Sequence, residues 1–494
     1  MADTRDISPA QLGLGDMDVA EFRAAAHRVA DMVADYLEHV ESYSVLPDVK
    51  PGDTRSRIAV EPPDDPQPLE DALGDYLRVI EPNITHWQHP GFMAYFSSVA
   101  SGPGILGEWL ATGLNSNVML WRNAPASTEL EEVVVGWMRR MFGLPPDFDG
   151  MFTDTASISS LLSVVAARQA TEGLDARVHG LAGRPDIGRL RMYCSEEAHF
   201  SIEKAGIVAG VGTEGVRRIP TDHEYRLRAD LLEAAIREDR EAGWVPFCAV
   251  ATLGTTSSTS VDPVGAMAEI CEREKLWLHV DAAYAGVAAI VPEYRDHFAG
   301  WERADSIVVN PHKWMFTPFD ASLLLFRDPE TYREAFSIVP EYARTPDTGG
   351  THNFNEYGIQ MGRRFRALKL WMLIRYFGVK GIAARLRRHC EWAREFAGWV
   401  GAEEGWELLA PVPFSTVCFR YVPPGGEMAE SIDEVNEEIL NRVNRTGSIF
   451  LSHTKLRDRF TIRVTFGNPR TTEDHVRRCW DLLRDAAARV SPSS

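Results

Sequence analysis

The sequence predicts an α/β protein built on a mostly parallel sheet with helices on both faces, followed by a smaller α+β segment. Three observations predict it. Short apolar runs alternate with amphipathic helical stretches through the middle of the chain, which is how a parallel sheet reads. Two of those runs are followed at once by polar or charged residues, Asp281 after one and Asn310 after another. Strands present such residues at the ligand-binding edge of an open α/β sheet. After about residue 369 the alternation gives way to longer helical stretches and well-separated strand runs.

The first element is a helix over 19–40, from the apolar stripe Val19, Phe22, Ala26, Val29, Val33, Tyr36, Leu37 and Val40. Asp18 with Glu21 three residues later resembles a capping box at its start. Leu46–Pro68 carries six prolines and reads as an extended connection, which makes the first helix an arm. A lone helix needs something to pack on, and a partner subunit is one candidate. A helix follows over about 128–142, then a short apolar piece at 150–152 and a helix over 158–169. Strands are expected at 245–253, 276–280, 306–309 and 322–326, with a helix at 264–274. Beyond lie helices at 369–376 and 382–400, a strand at 415–421, a helix at 430–445 and a strand at 460–466. At roughly 100–200 residues per domain, 494 residues suggest about three domains, which we place at 1–101, 102–368 and 369–494.

The formal charge is −19. Such a surface repels phosphate backbones and anionic lipid, which argues against nucleic acid or membrane as a general partner. No stretch reaches 18 apolar residues, and Met1–Asp18 holds four acidic residues with no apolar run of the secretory kind. Six cysteines, none in a CxxC pair or at zinc-ligand spacing, read as reduced thiols of a cytoplasmic protein without a metal.

Chemistry concentrates after the strand runs. Asp281 follows 276–280; Asn310, His312 and Lys313 follow 306–309; Thr153-Asp154-Thr155-Ala156-Ser157 opens a helix. A helix N-terminus binds phosphate through free N–H groups. A lysine forms a Schiff base with an aldehyde, and a carboxylate keeps a pyridine nitrogen protonated. Together these fit pyridoxal phosphate. Taken singly, Asp281 reads as a turn or cap and Lys313 as a surface lysine. Lys313, however, sits between an apolar strand and Trp314-Met315-Phe316, where desolvation would lower its pKa and raise its nucleophilicity.

Longer motifs carry a resemblance. Asn310-Pro311-His312-Lys313-Trp314 and Leu278-His-Val-Asp-Ala-Ala-Tyr-Ala-Gly286 resemble the lysine and aspartate motifs of the pyridoxal-dependent group II decarboxylases. His89-Pro-Gly-Phe-Met-Ala-Tyr-Phe96, Ala249-Val-Ala-Thr-Leu-Gly-Thr-Thr256 and Gly362-Arg-Arg-Phe-Arg366 are similar to the aromatic-L-amino-acid decarboxylase branch. The resemblance runs from about residue 15 to about 485. It implies the fold-type I, aspartate aminotransferase-like architecture and a homodimer whose N-terminal helices lie across the partner.

The resemblance also implies roles. Lys313 would hold pyridoxal 5'-phosphate covalently, Asp281 would pair with the pyridinium nitrogen, and Ala283 and His199 would cover the two ring faces. Ala156, Ser157 and Asn310 would hold the phosphate, Thr252 would lie near the phenolic oxygen, and His312 would sit at the substrate. Tyr342, in the polar stretch Ile338–Gly350, matches a lid tyrosine that protonates the substrate carbon. Trp87, Tyr95, Phe96 and Phe319 match an aromatic substrate pocket, Asn117 its wall, and Arg463 a group that could pair with a carboxylate. Gly362 matches a position where small size favours bulkier rings. Asp154 and Ile158 depart from the usual Gly and Glu of the phosphate loop, as do Ser97, Ser98, Asn117 and Met119 from the usual residues elsewhere.

The reading is a homodimeric decarboxylase of aromatic L-amino acids. The alternatives are an aldehyde synthase yielding aldehyde, ammonia and peroxide, a decarboxylase of acidic amino acids, and a catalytically idle cofactor-binding homologue. Presence of both Tyr342 and His199 favours plain decarboxylation, because related aldehyde synthases replace one of them.

Overall fold

The computed structural model describes residues 13, 15–338, 350, 352–423 and 429–490. Seven strands form one sheet: β1 (Asp149–Thr153), β2 (Arg189–Ser195), β3 (Val216–Ile219), β4 (Trp244–Thr252), β5 (Trp277–Asp281), β6 (Ser306–Val309) and β7 (Ser322–Phe326). Their order is β1-β7-β6-β5-β4-β2-β3. Only β7 runs against the rest, pairing antiparallel with β1 and β6. The mostly parallel sheet is therefore as expected. Strands β5, β6 and β7 are buried along their whole length, which is why they read as largely apolar runs.

A helix over Ala156–Gln169 lies against β4 to β7. Nine of its fourteen residues are buried, and three of those are serines. Small side chains let it come close, and each hydroxyl finds a partner. Ser159 bonds Thr153 (2.7 Å) and Ser322 (3.0 Å), Ser160 bonds His279 Nε2 (3.1 Å), and Ser163 bonds Tyr332 (2.9 Å). The helix is thus fixed to the sheet by polar contacts as well as by burial. A second sheet, β10-β11-β9-β8, is antiparallel throughout and contains β8 (Trp406–Leu408), β9 (Thr416–Tyr421), β10 (Ser452–Leu456) and β11 (Arg459–Thr465). The two helices expected at 369–376 and 382–400 are Ala367–Ala402, interrupted at Gly378, whose φ of 63° suits glycine.

By contact the chain forms two compact units. One comprises Ala94–Glu437 and Ser452–Pro469 and holds both sheets. The other comprises Met1–Met93, Glu438–Leu451 and Arg470–Ser494. The units interleave along the chain, whereas the segments 1–101, 102–368 and 369–494 describe chain order. In the second unit the helix Val19–His39 is capped by Asp18, whose carboxylate accepts the N–H of Ala20 (2.8 Å). Val19, Phe22, Val29 and Val33 on this helix are exposed.

Among the described residues, no helix is long and apolar enough to cross a membrane.

Candidate active site

Parallel register puts Thr252 of β4 opposite Asp281 of β5, and Asp281 opposite Val308 of β6. The carboxyl ends of these three strands therefore finish in one row. Past β6 the chain turns at once, with Asn310 N–H donating to Ala283 O (3.0 Å) and Lys313 N–H to Asn310 O (2.9 Å). The helix Ala156–Gln169 starts three residues after β1 ends. Strand geometry thus delivers a threonine, an aspartate, a lysine and a helix N-terminus to one place.

They line a cavity of about 200 Å³. Of the sequence-predicted residues, Lys313, Asp281, Ala283, His199, Ala156, Ser157, Asn310, Thr252, His312 and Phe96 meet there. Thr155, Ser201, Gly254, Thr256 and Tyr284 line it too, and sequence reasoning assigned them no role. Tyr284 lay in plain view within the aspartate motif. Its ring stacks on Phe96 (3.7 Å between centroids, 11°) and on Trp314 (4.9 Å, 8°), and this stack backs the cavity.

Desolvation holds the Lys313 ammonium below its ordinary pKa. The Asp281 charge opposes the shift and the Arg463 charge reinforces it. A depressed pKa leaves more of the free, nucleophilic amine, as expected from sequence. One oxygen of Asp281 accepts the Ala283 N–H (3.1 Å), which fixes the carboxylate at the cavity edge. Burial lowers the His199 pKa. Its Nδ1 accepts the Ser201 N–H (3.2 Å), so the ring caps the helix Phe200–Val208 and its plane is set by that cap.

His312 is buried, and burial followed by the Lys313 charge pushes its pKa down to about 3. Its Nδ1 accepts the Ala321 N–H (3.0 Å). The neutral ring must then carry its hydrogen on Nε2, which makes His312 a hydrogen-bond donor rather than a base. Thr252 is held from behind by a residue that sequence reasoning missed. Asp262, fully buried, accepts the N–H groups of Thr252 (2.8 Å) and Leu227 (2.7 Å), and burial raises its pKa to about 7.

At the helix start, the N–H groups of Ala156 and Ser157 have no protein acceptor among the described residues, and the Ser157 side chain is exposed. The Thr155 N–H, by contrast, donates to Asp154 Oδ1 (2.6 Å).

The substrate-side expectations separate. Arg463 on β11 is buried with its guanidinium 4.6 Å from the Phe96 ring. Its Nε donates to Ser257 O (3.0 Å) and its Nη1 to Tyr95 O, leaving Nη2 as the open donor. Two of the five guanidinium N–H donors are thus used within the chain, and the open Nη2 carries two more. Tyr95 is 55% exposed and adopts a φ of 48°, which turns its carbonyl toward Arg463. Phe319 is 64% exposed, 4.8 Å from the His312 ring.

Asn117 is exposed, and its Oδ1 accepts the Arg363 N–H (2.9 Å). A methyl group on Gly362 would meet Asn117 at 3.6 Å, an ordinary contact, so packing within this chain does not demand glycine there. Trp87 belongs to the other compact unit, where it stacks on Phe92 at 4.3 Å. Tyr342 lies outside the described residues.

Thr252 Oγ1, Asn310 Oδ1 and Arg463 Nη2 are buried polar atoms without a protein partner among the described residues. Such atoms are rare in native structures, and here two belong to cavity residues and the third to the arginine over Phe96. With two free helical N–H groups, a lysine of lowered pKa and a carboxylate, the site fits a phosphorylated pyridine aldehyde.

Comparisons with known proteins agree. Residues 51–422 match the pyridoxal-dependent decarboxylase conserved domain. The chain is 38% identical to tyrosine decarboxylase 2 of Narcissus pseudonarcissus over 96% of this chain and 95% of that one. It is 37% identical to phenylacetaldehyde synthase of Arabidopsis thaliana over 96% and 97%. The structure of Oryza sativa TDC with PLP and tryptamine superposes with a TM-score of 0.93 at 35% identity, covering 97% of this chain and 99% of that one. These matches show the fold type I architecture that the resemblance implied, and they identify the cofactor as pyridoxal 5'-phosphate (PLP). With a lysine, an aspartate and a helix N-terminus at one sheet edge, and with this match over residues 51–422, the chain belongs to the pyridoxal-dependent decarboxylase family.

Proposed function

We propose that this protein decarboxylates aromatic L-amino acids, among them tryptophan, tyrosine, phenylalanine and dopa, to arylalkylamines and carbon dioxide. The observation that carries the proposal is the cavity in which Lys313, Asp281 and His199 converge beside the aromatic wall Phe96–Tyr284. PLP, when bound, supplies the electron sink for the pair released as the carboxylate leaves.

The chain's own residues do the rest. Lys313 would hold the cofactor covalently. Asp281 keeps a proton on the ring nitrogen. His199 and Ala283 cover the two ring faces. Ala156, Ser157 and Asn310 would hold the phosphate, and Thr252 would lie near the phenolic oxygen. The Nε2–H of His312 and the Nη2–H of Arg463 are donors for orienting the substrate. Tyr342 returns a proton to Cα.

Trp87, Tyr95, Phe319 and Asn117 complete the substrate side when a second copy is present. Their exposure in the single chain favours this, as do the exposed Leu106, Trp109, Leu110 and Leu114 along the helix Gly102–Leu114. The protein is accordingly proposed to be a homodimer. A cytoplasmic location suits its six buried, unpaired cysteines.

The test offers the four aromatic amino acids and glutamate to purified protein loaded with PLP, following amine, aldehyde and peroxide together. Amine from an aromatic substrate without peroxide is expected. Near-equal identity to a phenylacetaldehyde synthase keeps one second reading in play. Aldehyde with stoichiometric peroxide would establish that reading instead. Turnover of glutamate alone would overturn both.

A further inference from the structure

Asp154 places a carboxylate at the head of the helix that receives the cofactor's phosphate. Its Oδ1 accepts the Thr155 N–H at 2.6 Å and lies 3.3 Å from the Thr155 hydroxyl. Asp154 is half-buried and, among the described residues, forms no ion pair. Two consequences follow for a dianion bound next door. The N–H of Thr155, the residue before the two free N–H groups, is already engaged. A like charge sits within the same turn, where the helix dipole stabilises whichever anion is present.

Compensation is scarce. Among the described residues, Lys313, His199 and His312 are the basic side chains that line the cavity, and no arginine lines it. Lys313 belongs to the aldehyde end, and burial keeps His312 neutral. The phosphate is therefore left with neutral donors: the N–H groups of Ala156 and Ser157, the Ser157 hydroxyl and the Asn310 side chain. A cradle without a formal positive charge gives a neighbouring carboxylate its full effect.

We propose that Asp154 is a cofactor-affinity determinant, which holds PLP binding below the level its own cradle would support. It acts through the phosphate and not through the ring. PLP then exchanges more readily between protein and solution, and occupancy follows free PLP over a wider range of concentration. This inference rests on placing the phosphate at the Ala156–Ser157 helix start.

The experiment is equilibrium dialysis of the holoenzyme over a range of PLP concentrations, reading bound cofactor after alkaline release. It is repeated with pyridoxal, which lacks the phosphate. Asp154→Asn keeps an oxygen acceptor for the Thr155 N–H and removes the charge. It is expected to tighten PLP binding about five- to tenfold, to leave pyridoxal binding unchanged, and to lose most of that gain in high salt. Unchanged or weaker PLP binding overturns the inference, and so does an equal gain for pyridoxal. Ser157→Ala separates the two levels of the argument. If it weakens PLP binding while Asp154→Asn has no effect, the phosphate placement stands and the role of Asp154 falls. If neither variant changes PLP binding, the placement falls with it.

Discussion

Two buried arginines in this protein lie in opposite circumstances. Arg363 bonds the carboxylate of Glu131, which is itself fully buried, and donates to the carbonyls of Val118 (3.0 Å) and Phe152 (2.6 Å). Glu131 in turn accepts the Phe152 N–H (2.9 Å), so the pair ties β1 to the helix Pro125–Met141. Arg463 is equally buried, yet among the described residues no carboxylate pairs with it and its Nη2 has no partner. Burial lowers its pKa. A buried charge with a counter-ion reads as structure, whereas a buried charge with an open donor beside a cavity reads as a ligand contact. Charge alone did not distinguish the two in the sequence.

The contrast is sharpest when activity and stability are measured on the same variants. Lys313→Ala should abolish turnover by about four orders of magnitude and remove the visible absorbance of the bound cofactor, with unfolding free energy within about 1 kcal/mol of the parent. Wild-type-like turnover in this variant would remove the centre of the cavity side.

On the structural side, Glu131→Gln should destabilise by about 3–5 kcal/mol in chemical denaturation, because it leaves Arg363 buried without its counter-ion. Turnover per folded molecule should stay close to the parent value. A stable protein with lost turnover would invert the comparison.

Arg463→Met should reduce kcat/KM about 10- to 100-fold. Its stability should change by no more than about 1 kcal/mol, since removal of an unpaired buried charge opposes the loss of bonds to Ser257 and Tyr95. Equal loss in stability and activity would make Arg463 a second Arg363.

The smallest effect is expected at His352. It is bracketed by Glu132 (2.7 Å to Nδ1) and Asp149 (2.7 Å to Nε2). Burial pulls its pKa down, but the two carboxylates outweigh that and raise it from 6.5 to about 10. The protonated ring therefore adds stability in full below about pH 6.5, and this is lost as pH rises through about 10. His352→Gln should lower stability by about 1–2 kcal/mol at pH 6, with the deficit closing toward pH 10. A deficit independent of pH would mean that the ring acts by shape alone.

Legibility in the sequence followed burial. Strands β5 to β7 were readable because apolar residues dominate them, with His279 as the one polar residue inside a run. Strands β2 and β3 were not, because Arg189, Arg191, Arg217 and Arg218 break their apolar runs. In the fold Arg189 and Arg191 lie over the Trp244 ring (4.3 and 3.5 Å), and Arg191 and Arg217 pair with Asp239. Only tertiary contacts make such residues acceptable in a sheet. The helix Gly102–Leu114 was missed for a different reason. Its glycines have low helix propensity, yet a methyl on Gly107 would come within 2.6 Å of Lys369 Cα, and one on Gly104 within 2.5 Å of Pro318. They serve close packing, which a single sequence does not display.

The site was readable where one residue does one job at a strand end, as with Asp281 and Lys313. It was not readable where the job depends on geometry. The tautomer of His312, the support of Thr252 by Asp262 and the open Nη2 of Arg463 all come from geometry that the sequence does not display.

The aromatic column behind the cavity has an optical consequence. Trp314 follows Lys313 in the chain, is fully buried, stacks on Tyr284 and donates its indole N–H to His389 (3.0 Å). Its emission arises in a rigid, water-free setting one residue from Lys313, the proposed attachment point of a near-ultraviolet chromophore. Indole light is emitted where that chromophore absorbs. Trp314 is thus a native donor for resonance energy transfer, and its quenching would follow cofactor arrival in real time without any added dye.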